Sequence, residues 1–439
     1  MLYAEILLPV PIAGTFTYRV PAEMENSLGV GHRVIVPFGR RKSYTGIVSA
    51  LTPLEPIGYE VKEIAMRIDD RPIVRHPQLK FWNWVADYYL CTPGEVYKAA
   101  VPAGLKIESE TFISPVPGFE EDENYRLSTR ELALLEGLLA TGEKRVSLDS
   151  LARKTGITTV GPVVNSLLAR NAVMVSENLV ERYHARKETY VRLSAARGDS
   201  DALHAAFDAV KKGSKQESAL LALIELSGFM RQGLAELNEV TRTALMERSG
   251  ATSTVIAAMA KKGIVEVYTR KVSRFSYFGV SGGGLPKLTD IQGAALDKVH
   301  KSWLEKDITL LHGVTSSGKT ELYIHLIDYV MRHGRQALYL VPEIALTTQL
   351  TSRLQMVFGD KVLIYHSRFS DNERVEIWNR LLDDPSPCVV IGARSSVFLP
   401  FGSLGLVIVD EEHESAYKQQ DPAPRYNARD AAVVLASMH

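Results

Sequence analysis

The chain has 439 residues, 46% of them apolar, with 51 basic and 51 acidic side chains and no net charge. At about 100–200 residues per domain this suggests three or four domains with real cores. It excludes bulk positive charge as a basis for nucleic-acid binding, which would need local basic patches. The start, Met1 to Glu5, carries no basic leader, Pro9 and Pro11 break its first apolar run, and no stretch approaches the ~18 apolar residues of a membrane span. A cytoplasmic protein without membrane contact is expected. Cys91 and Cys388 are far apart and each lies beside an apolar stretch, so buried free thiols are expected, and no zinc site in this chain.

Residues 1 to about 72 read as β-rich. Short β-prone runs at Ala4–Leu8, Thr15–Val20, Arg33–Phe38 and Tyr44–Leu51 are separated by Gly, Pro or charged turns, which fits a small barrel or sandwich. A helix follows over about His76–Cys91, rich in aromatics (Phe81, Trp82, Trp84, Tyr88, Tyr89) that either cover the barrel or form a stacking platform for bases. Pro115 to Asn124 reads as a linker. Two similar segments come next. Glu131–Leu135, Leu151–Gly156 and Leu168–Asn171 lead to Val173–Val175, and Glu217–Leu221, Leu245–Gly250 and Met259–Gly263 lead to Ile264–Val267. Each reads as helix, helix, turn, helix and then a β-hairpin wing. That is the winged-helix pattern, here repeated, with DNA binding or partner docking as its use.

A glycine-rich hinge, Ser281 to Gly284, precedes a change of pattern. Apolar runs at Ile308–Leu311, Ala337–Val341, Val362–Tyr365, Cys388–Ile391 and Leu404–Val409 are mostly separated by helical stretches, which predicts a parallel α/β sheet.

The chemistry concentrates there. Gly313-Val314-Thr315-Ser316-Ser317-Gly318-Lys319-Thr320 sits where a predicted strand meets a predicted helix. The glycines let backbone N–H groups face phosphates, and the helix N-terminus adds partial positive charge. Lys319 can reach the β- and γ-phosphates of ATP, and the Thr320 hydroxyl can hold Mg²⁺. Asp410-Glu411-Glu412-His413 follows the run Leu404–Val409. Asp410 is placed to reach the same magnesium, Glu411 to activate the attacking water, and His413 to couple the site to nucleic acid or a second lobe. Three weaker signals agree. Gln292 precedes the first strand, where its amide can pair with an adenine edge. Thr347, in Val341–Thr347, and Arg394, in Gly392–Phe398, follow predicted strands and can contact a phosphodiester backbone.

The series Gly313–Thr320, Val341–Thr347, Gly392–Pro400 and Asp410–His413 resembles superfamily-two helicases. Tyr417 to Asp430 (Tyr-Lys-Gln-Gln-Asp-Pro-Ala-Pro-Arg-Tyr-Asn-Ala-Arg-Asp) is similar to the aromatic-rich loop of the PriA family of primosomal replication-restart helicases. Pro9-Val-Pro11, Thr15-Phe16, Arg33–Gly39 and Ala86–Tyr89 resemble the same family. The residue patterns and the resemblance together imply a multidomain chain: a β-rich 3′-DNA-binding domain at 1–110, a winged-helix domain at 120–195, a second winged-helix-like domain at 205–278 where the family commonly shows only one, and a RecA-like motor lobe at 285–439 that stops before the family's third motif. The resemblance implies a DNA-end pocket of Phe16, Thr17, Gly39 and Lys62, with Thr17 standing where an acidic residue is often found. It further implies DNA contact by Arg425 and Tyr426 of the aromatic-rich loop. Branched forks, single-stranded DNA, primosome proteins and single-stranded-DNA-binding protein are the implied partners. The second lobe, its arginine finger and a zinc-binding cysteine region are expected beyond His439.

The reading is therefore the N-terminal part of an ATP-dependent 3′-to-5′ DNA helicase for replication restart. The rivals are a non-enzymatic fork-binding module with a regulatory nucleotide site, or another superfamily-two translocase. An arginine finger supplies about a thousandfold or more in rate. The 439 residues alone are therefore expected to show negligible DNA-stimulated ATPase and no unwinding. Robust turnover by the purified chain, abolished by Lys319→Ala, would refute that expectation.

Overall fold

The computed structural model describes the chain apart from residues 40–41, 57–59, 107, 117–118, 120–125, 144, 158–159, 171, 181–185, 196–199, 212, 231–236, 272–282, 315–316 and 344–346. Two compact units form, Met1–Tyr183 with Tyr277–His439, and His184–Ser276. No helix among the described residues is long and apolar enough to cross a membrane.

The chain opens with β1 (Tyr3–Leu7), β2 (Phe16–Arg19), β3 (Arg33–Phe38), β4 (Lys42–Thr52) and β5 (Met66–Arg67). They pair antiparallel in the order β2-β1-β4-β3-β5. Alternation puts Ala4, Ile6, Tyr18, Val34, Val36 and Val48 into one core. Gly46 is required on β4, because a Cβ there would run into Ile6 and Leu8.

The helix expected over His76–Cys91 ends at Tyr88 as α1 (His76–Tyr88), and a second helix that the sequence reading did not mark, α2 (Pro93–Ala100), follows. Leu90 takes φ 51° between them, and Pro93 begins the second helix under a Thr92–Glu95 capping box. α2 lies on the sheet, its Tyr97 hydroxyl donating to Thr45 O at 3.1 Å and its ring stacked on Trp82.

The first winged-helix segment comprises β6 (Glu108–Pro115), α3 (Thr129–Leu139), β7 (Val146–Ser147), α4 (Leu148–Thr155), α5 (Val160–Ala169) and β8 (Val173–Val180). The second unit comprises β9 (Lys187–Leu193), α6 (Ser200–Val210), α7 (Ser214–Ser227), β10 (Val240–Thr241), α8 (Arg242–Ser249), α9 (Ser253–Lys261) and β11 (Val265–Lys271). Local signals recur between them. Ser147 caps α4 and Gly156 ends it at φ 68°; Thr241 caps α8 and Gly250 ends it at φ 66°.

Two expectations change here. The strand after the last helix does not open a hairpin wing among the described residues. It pairs with the strand before the first helix, β8 with β6 and β11 with β9. β9, assigned from sequence to the first domain (120–195), pairs with β10 and β11 and so belongs to the second. β-propensity marks an extended run, but its partner is chosen by packing.

The motor lobe runs through α10 (Asp290–Trp303), α11 (Lys319–Arg332), β12 (Gln336–Leu340), α12 (Thr348–Phe358), β13 (Val362–Tyr365), α13 (Asp371–Asp383), β14 (Val389–Gly392), β15 (Leu404–Val409) and α14 (Ala428–Ser437). Its strands are parallel, in the order β13-β14-β12-β15. Residues 308–311 are not a strand. Ile308 and Leu310 are 63% and 77% exposed. β15, at the end of the sheet, pairs among the described residues with β12 only, and an extended run without a ladder partner gains nothing from its propensity. Of the expected hinge, 281–282 lie outside the described residues, and Gly283 N–H is held by Met356 O at 3.1 Å.

Within the first unit α1 joins the N-terminal sheet to the motor lobe. Arg75, its N-cap, donates to Pro400 O, Leu381 O and Leu382 O at 3.1–3.2 Å. Gln78 donates to Phe398 O at 2.8 Å, and the buried Trp378 indole donates to Ile73 O at 2.8 Å. The Phe81 and Phe398 rings lie 5.8 Å apart, and the Phe398 and Tyr426 rings 5.0 Å. Arg75→Ala leaves three carbonyls short of a donor and is expected to cost about 1–3 kcal/mol. Urea denaturation checks this, and an unchanged midpoint would show that Arg75 bears no weight at this interface.

Candidate nucleotide site and nucleic-acid interface

α11 begins at Lys319 directly after Gly318, whose φ of 84° only glycine adopts without strain. Thr315 and Ser316 lie outside the described residues. Val314 is exposed, and its carbonyl accepts from Ser317 N at 3.2 Å, closing a turn. Thr320 is half-buried in the first turn of α11. Lys319 Nζ donates to Gly313 O at 3.0 Å and to Glu411 Oε1 at 3.1 Å. The two sequence motifs, 92 residues apart, thus meet through a charge-assisted bond.

Asp410 follows β15. Its N–H donates to Leu340 O at 3.0 Å, which continues the ladder past the strand end. Its carboxylate accepts from Tyr323 at 3.3 Å on Oδ1 and from Tyr339 at 3.0 Å on Oδ2, while Tyr417 donates to the Asp410 carbonyl at 2.6 Å. Sequence reasoning missed these three tyrosines. The available signal was that a tyrosine inside a buried apolar strand, as Tyr339 is, must find a partner for its hydroxyl. Glu411 takes φ 48°, an uncommon value for a residue other than glycine. His413 is exposed and 3.9 Å from Glu411 Oε2. Glu412 is paired with Arg429 at 2.9 Å, which ties the motif to the start of α14.

Gln292 reaches the phosphate loop by another route than expected. Its Oε1 accepts from Thr289 N at 2.9 Å in a capping box of α10, and its Nε2 donates to Gly318 O at 3.4 Å. The amide therefore braces the loop.

The other candidates divide. Register places Leu340, Gly392 and Val409 side by side, so Thr347, Arg394 and Asp410 all follow strand ends on one edge of the sheet. Thr347 is exposed and caps α12, and Arg394 is half-buried and donates to Lys418 O at 3.4 Å. Arg425 is exposed and paired with Asp421 at 2.8 Å. Tyr426, expected to touch DNA, is only 1% exposed. Its ring packs on Phe398 and its carbonyl accepts from Gln419 N at 2.9 Å, so it anchors the aromatic-rich loop from inside. An aromatic side chain is large enough that core burial wins over surface display.

In the N-terminal domain Phe16 packs edge-on against Phe38 at 5.0 Å. Gly39 follows, exposed, at φ 67°, and its carbonyl accepts from Lys62 Nζ at 2.6 Å. Phe16, Gly39 and Lys62 are thus linked through Phe38. Thr17 faces the other side of β2, as strand alternation requires, and donates to Glu5 Oε1 at 2.8 Å.

An α/β lobe whose phosphate-loop lysine meets an Asp-Glu-Glu-His motif is a helicase motor lobe, and a model described as DEAD/DEAH box helicase matches residues 289–435. Models described as 3′ DNA-binding domain, winged helix domain, and winged helix domain of PriA helicase from Bacteroidota match 5–102, 110–178 and 188–272. Over 100% of its length the chain is 31% identical to replication restart protein PriA of Bacillus subtilis, covering 52% of that protein. The corresponding Synechocystis protein is 30% identical over 98% of the chain and 50% of its own length, and that of Haemophilus influenzae 28% over 99% and 47%. The chain belongs to the PriA family and spans about half the length of the curated relatives it matches.

Burial first, and then the Asp410 carboxylate, push the Tyr323, Tyr339 and Tyr417 phenols above their ordinary value of 10.0. The fold favours the neutral phenol, so this stabilisation is complete below pH 10 and is lost as pH rises beyond it. Tyr339→Phe is expected to cost about 1.5–3 kcal/mol at neutral pH through the lost bond to Asp410. The gap to wild type should narrow above pH 10, read by urea unfolding at pH 8 and 11; a gap independent of pH would contradict the assignment.

Proposed function

We propose that the chain carries the ATP-binding and fork-binding parts of an ATP-dependent 3′-to-5′ DNA helicase that recognises stalled or collapsed replication forks and initiates primosome assembly for restart. The observation that carries this reading is the convergence of Lys319 and Glu411 beside a carboxylate, Asp410, held by two tyrosine hydroxyls, in a chain whose first hundred residues match a 3′ DNA-binding domain. The match of 289–435 to a DEAD/DEAH box helicase supports the use of ATP and Mg²⁺.

The residues fit those groups. Oxygen donors from a carboxylate and a hydroxyl suit Mg²⁺, and Asp410 and Thr320 supply them. An ammonium that now leans on one carbonyl and one carboxylate is ready to accept phosphate oxygens instead. Bound MgATP would supply the phosphoryl group whose hydrolysis drives the motor. Gly313, Val314, Ser317 and Gly318, with Thr315 and Ser316 of the same motif, would hold the phosphates, and Lys319 would bind them by charge. Glu411, released from Lys319, orients and takes a proton from the attacking water. His413 relays the state of the site to DNA or to a second lobe. Gln292 steadies Gly318 and presents its amide near the base.

On the DNA side, Phe16 stacks on the terminal nucleotide, Gly39 admits its backbone, Lys62 supplies charge, and Thr17 offers a hydroxyl. Thr347, Arg394 and Arg425 contact the backbone of single-stranded DNA. The strand and helix order that the two winged-helix segments share, with one extra helix (α6) in the second, supports a duplicated module for duplex arms. Primosome proteins and single-stranded-DNA-binding protein are partners of the same proposal, and zinc belongs to a C-terminal region and enters no step here. The chain is expected to bind forks with a free leading-strand 3′ end in preference to forks blocked with a 3′-phosphate. Equal affinity for the two, measured by fluorescence anisotropy, would sink the pocket assignment.

A further inference from the structure

The carboxylate of Asp410 is held at both oxygens. Its Oδ1 accepts from the Tyr323 hydroxyl at 3.3 Å and from Glu411 N–H at 3.1 Å, and its Oδ2 accepts from the Tyr339 hydroxyl at 3.0 Å. The two tyrosines come from different elements. Tyr323 lies in α11 and Tyr339 in β12, and their rings meet edge-on at 5.5 Å. Both belong to the buried core of the lobe. Phenylalanine would fill that core with no hydroxyl to satisfy, so packing alone does not account for the pair. Tyr417 fixes the backbone end of the same residue, donating to the Asp410 carbonyl at 2.6 Å and to Leu340 O at 3.1 Å. A carboxylate offers about four acceptor positions, so capacity for a cation or its water is left on a group whose direction is already set.

Tyr323 stands three residues after Thr320 in α11. Residues at that spacing share a helix face, so one side of α11 carries both the Thr320 hydroxyl and the hydroxyl that braces Asp410. The two oxygen donors suited to Mg²⁺ come from separate elements, the start of α11 and the end of β15. Tyr323 is a bond from the helix of the first donor to the second donor itself. Mg²⁺ demands near-ideal octahedral geometry at about 2.0–2.1 Å, whereas Ca²⁺ takes about 6–8 oxygens at roughly 2.3–2.6 Å in flexible arrangements. A donor pair of fixed span favours the smaller ion, and a pair free to spread gives that preference up.

We propose that Tyr323 and Tyr339 are positioning residues that set the span between Thr320 and Asp410, and so make the nucleotide site select Mg²⁺ over Ca²⁺. They act through Asp410 and are not themselves ligands. This rests on the nucleotide-site reading given above, and the test separates the two. The fluorescent analogue N-methylanthraniloyl-ATP is titrated into the full chain and its Tyr323→Phe, Tyr339→Phe, Asp410→Asn and Lys319→Ala variants, in EDTA, in Mg²⁺ and in Ca²⁺. Wild type is expected to tighten more with Mg²⁺ than with Ca²⁺. Each phenylalanine variant should keep its affinity in EDTA and in Ca²⁺, and lose roughly tenfold or more of the tightening that Mg²⁺ gives. Unchanged Mg²⁺ tightening in both variants, or equal losses with the two ions, overturns the proposal and leaves the site standing, provided Lys319→Ala weakens binding. A wild type that tightens equally with Mg²⁺ and Ca²⁺ overturns it as well. Weaker binding in EDTA makes the tyrosines structural and has the same consequence. Should Tyr339→Phe fail to fold, Tyr323→Phe decides on its own. No binding by wild type, or wild-type affinity in Lys319→Ala and Asp410→Asn, removes the nucleotide site and the proposal with it.

Discussion

The burial of α1 against the motor lobe is the constraint on which the first unit depends. One face of this helix carries Gln78, Phe81 and Trp82, all with little or no exposure, and its N-cap carries Arg75. Arg75 and Gln78 donate to carbonyls at the end of α13 and at Phe398 and Pro400. Such carbonyls at a helix end and a tight turn lack intrahelical or ladder partners, and leaving them dry and unpaired would cost more than the bonds are worth in water. Burial pulls the Arg75 guanidinium below its ordinary pKa, with the Arg71 charge adding to it, so this cation sits in a costly place and is held by carbonyl dipoles.

That contact has a functional geometry. The ring of Phe398 lies between Phe81 of α1 and Tyr426 of the aromatic-rich loop. Tyr89 adds a bond to Asn427 O at 3.4 Å, with the Lys418 ammonium 5.3 Å from its ring centre. The domain that matches a 3′ DNA-binding model is thus packed on the segments that follow β14 and β15, at the same sheet edge as the nucleotide motifs. Arg429 then links Glu412 to Asp430. A side chain displaced in the aromatic-rich loop has only a short packed path to Asp410 and Glu411.

The two motifs of the candidate site were legible in the sequence as patterns. Gly313–Thr320 and Asp410–His413 are short, local patterns whose chemistry is set by residue type and by a neighbouring strand or helix. In the structure Lys319 and Glu411, one from each pattern, meet. The errors share one cause. The 308–311 run, the ownership of β9 and the pairing of β8 with β6 and of β11 with β9 all concern which strand pairs with which, and Tyr426 concerns which side of a ring faces water. Gln292 shows the same limit in a polar residue, since a side chain that reads as a ligand for adenine also completes a capping box three residues from its start.

Taken alone, the sequence determined the glycine pattern of Gly313–Thr320, the acidic pattern of Asp410–His413 and the alternation of helices and parallel strands around them. These rest on backbone conformations and hydrogen bonds made within a few residues. Only the tertiary structure decided that Asp410 hangs from Tyr323 and Tyr339 and that Tyr426 is core. Those contacts join residues as many as 87 positions apart, and such distances close only when burial of whole faces brings the strands and helices together.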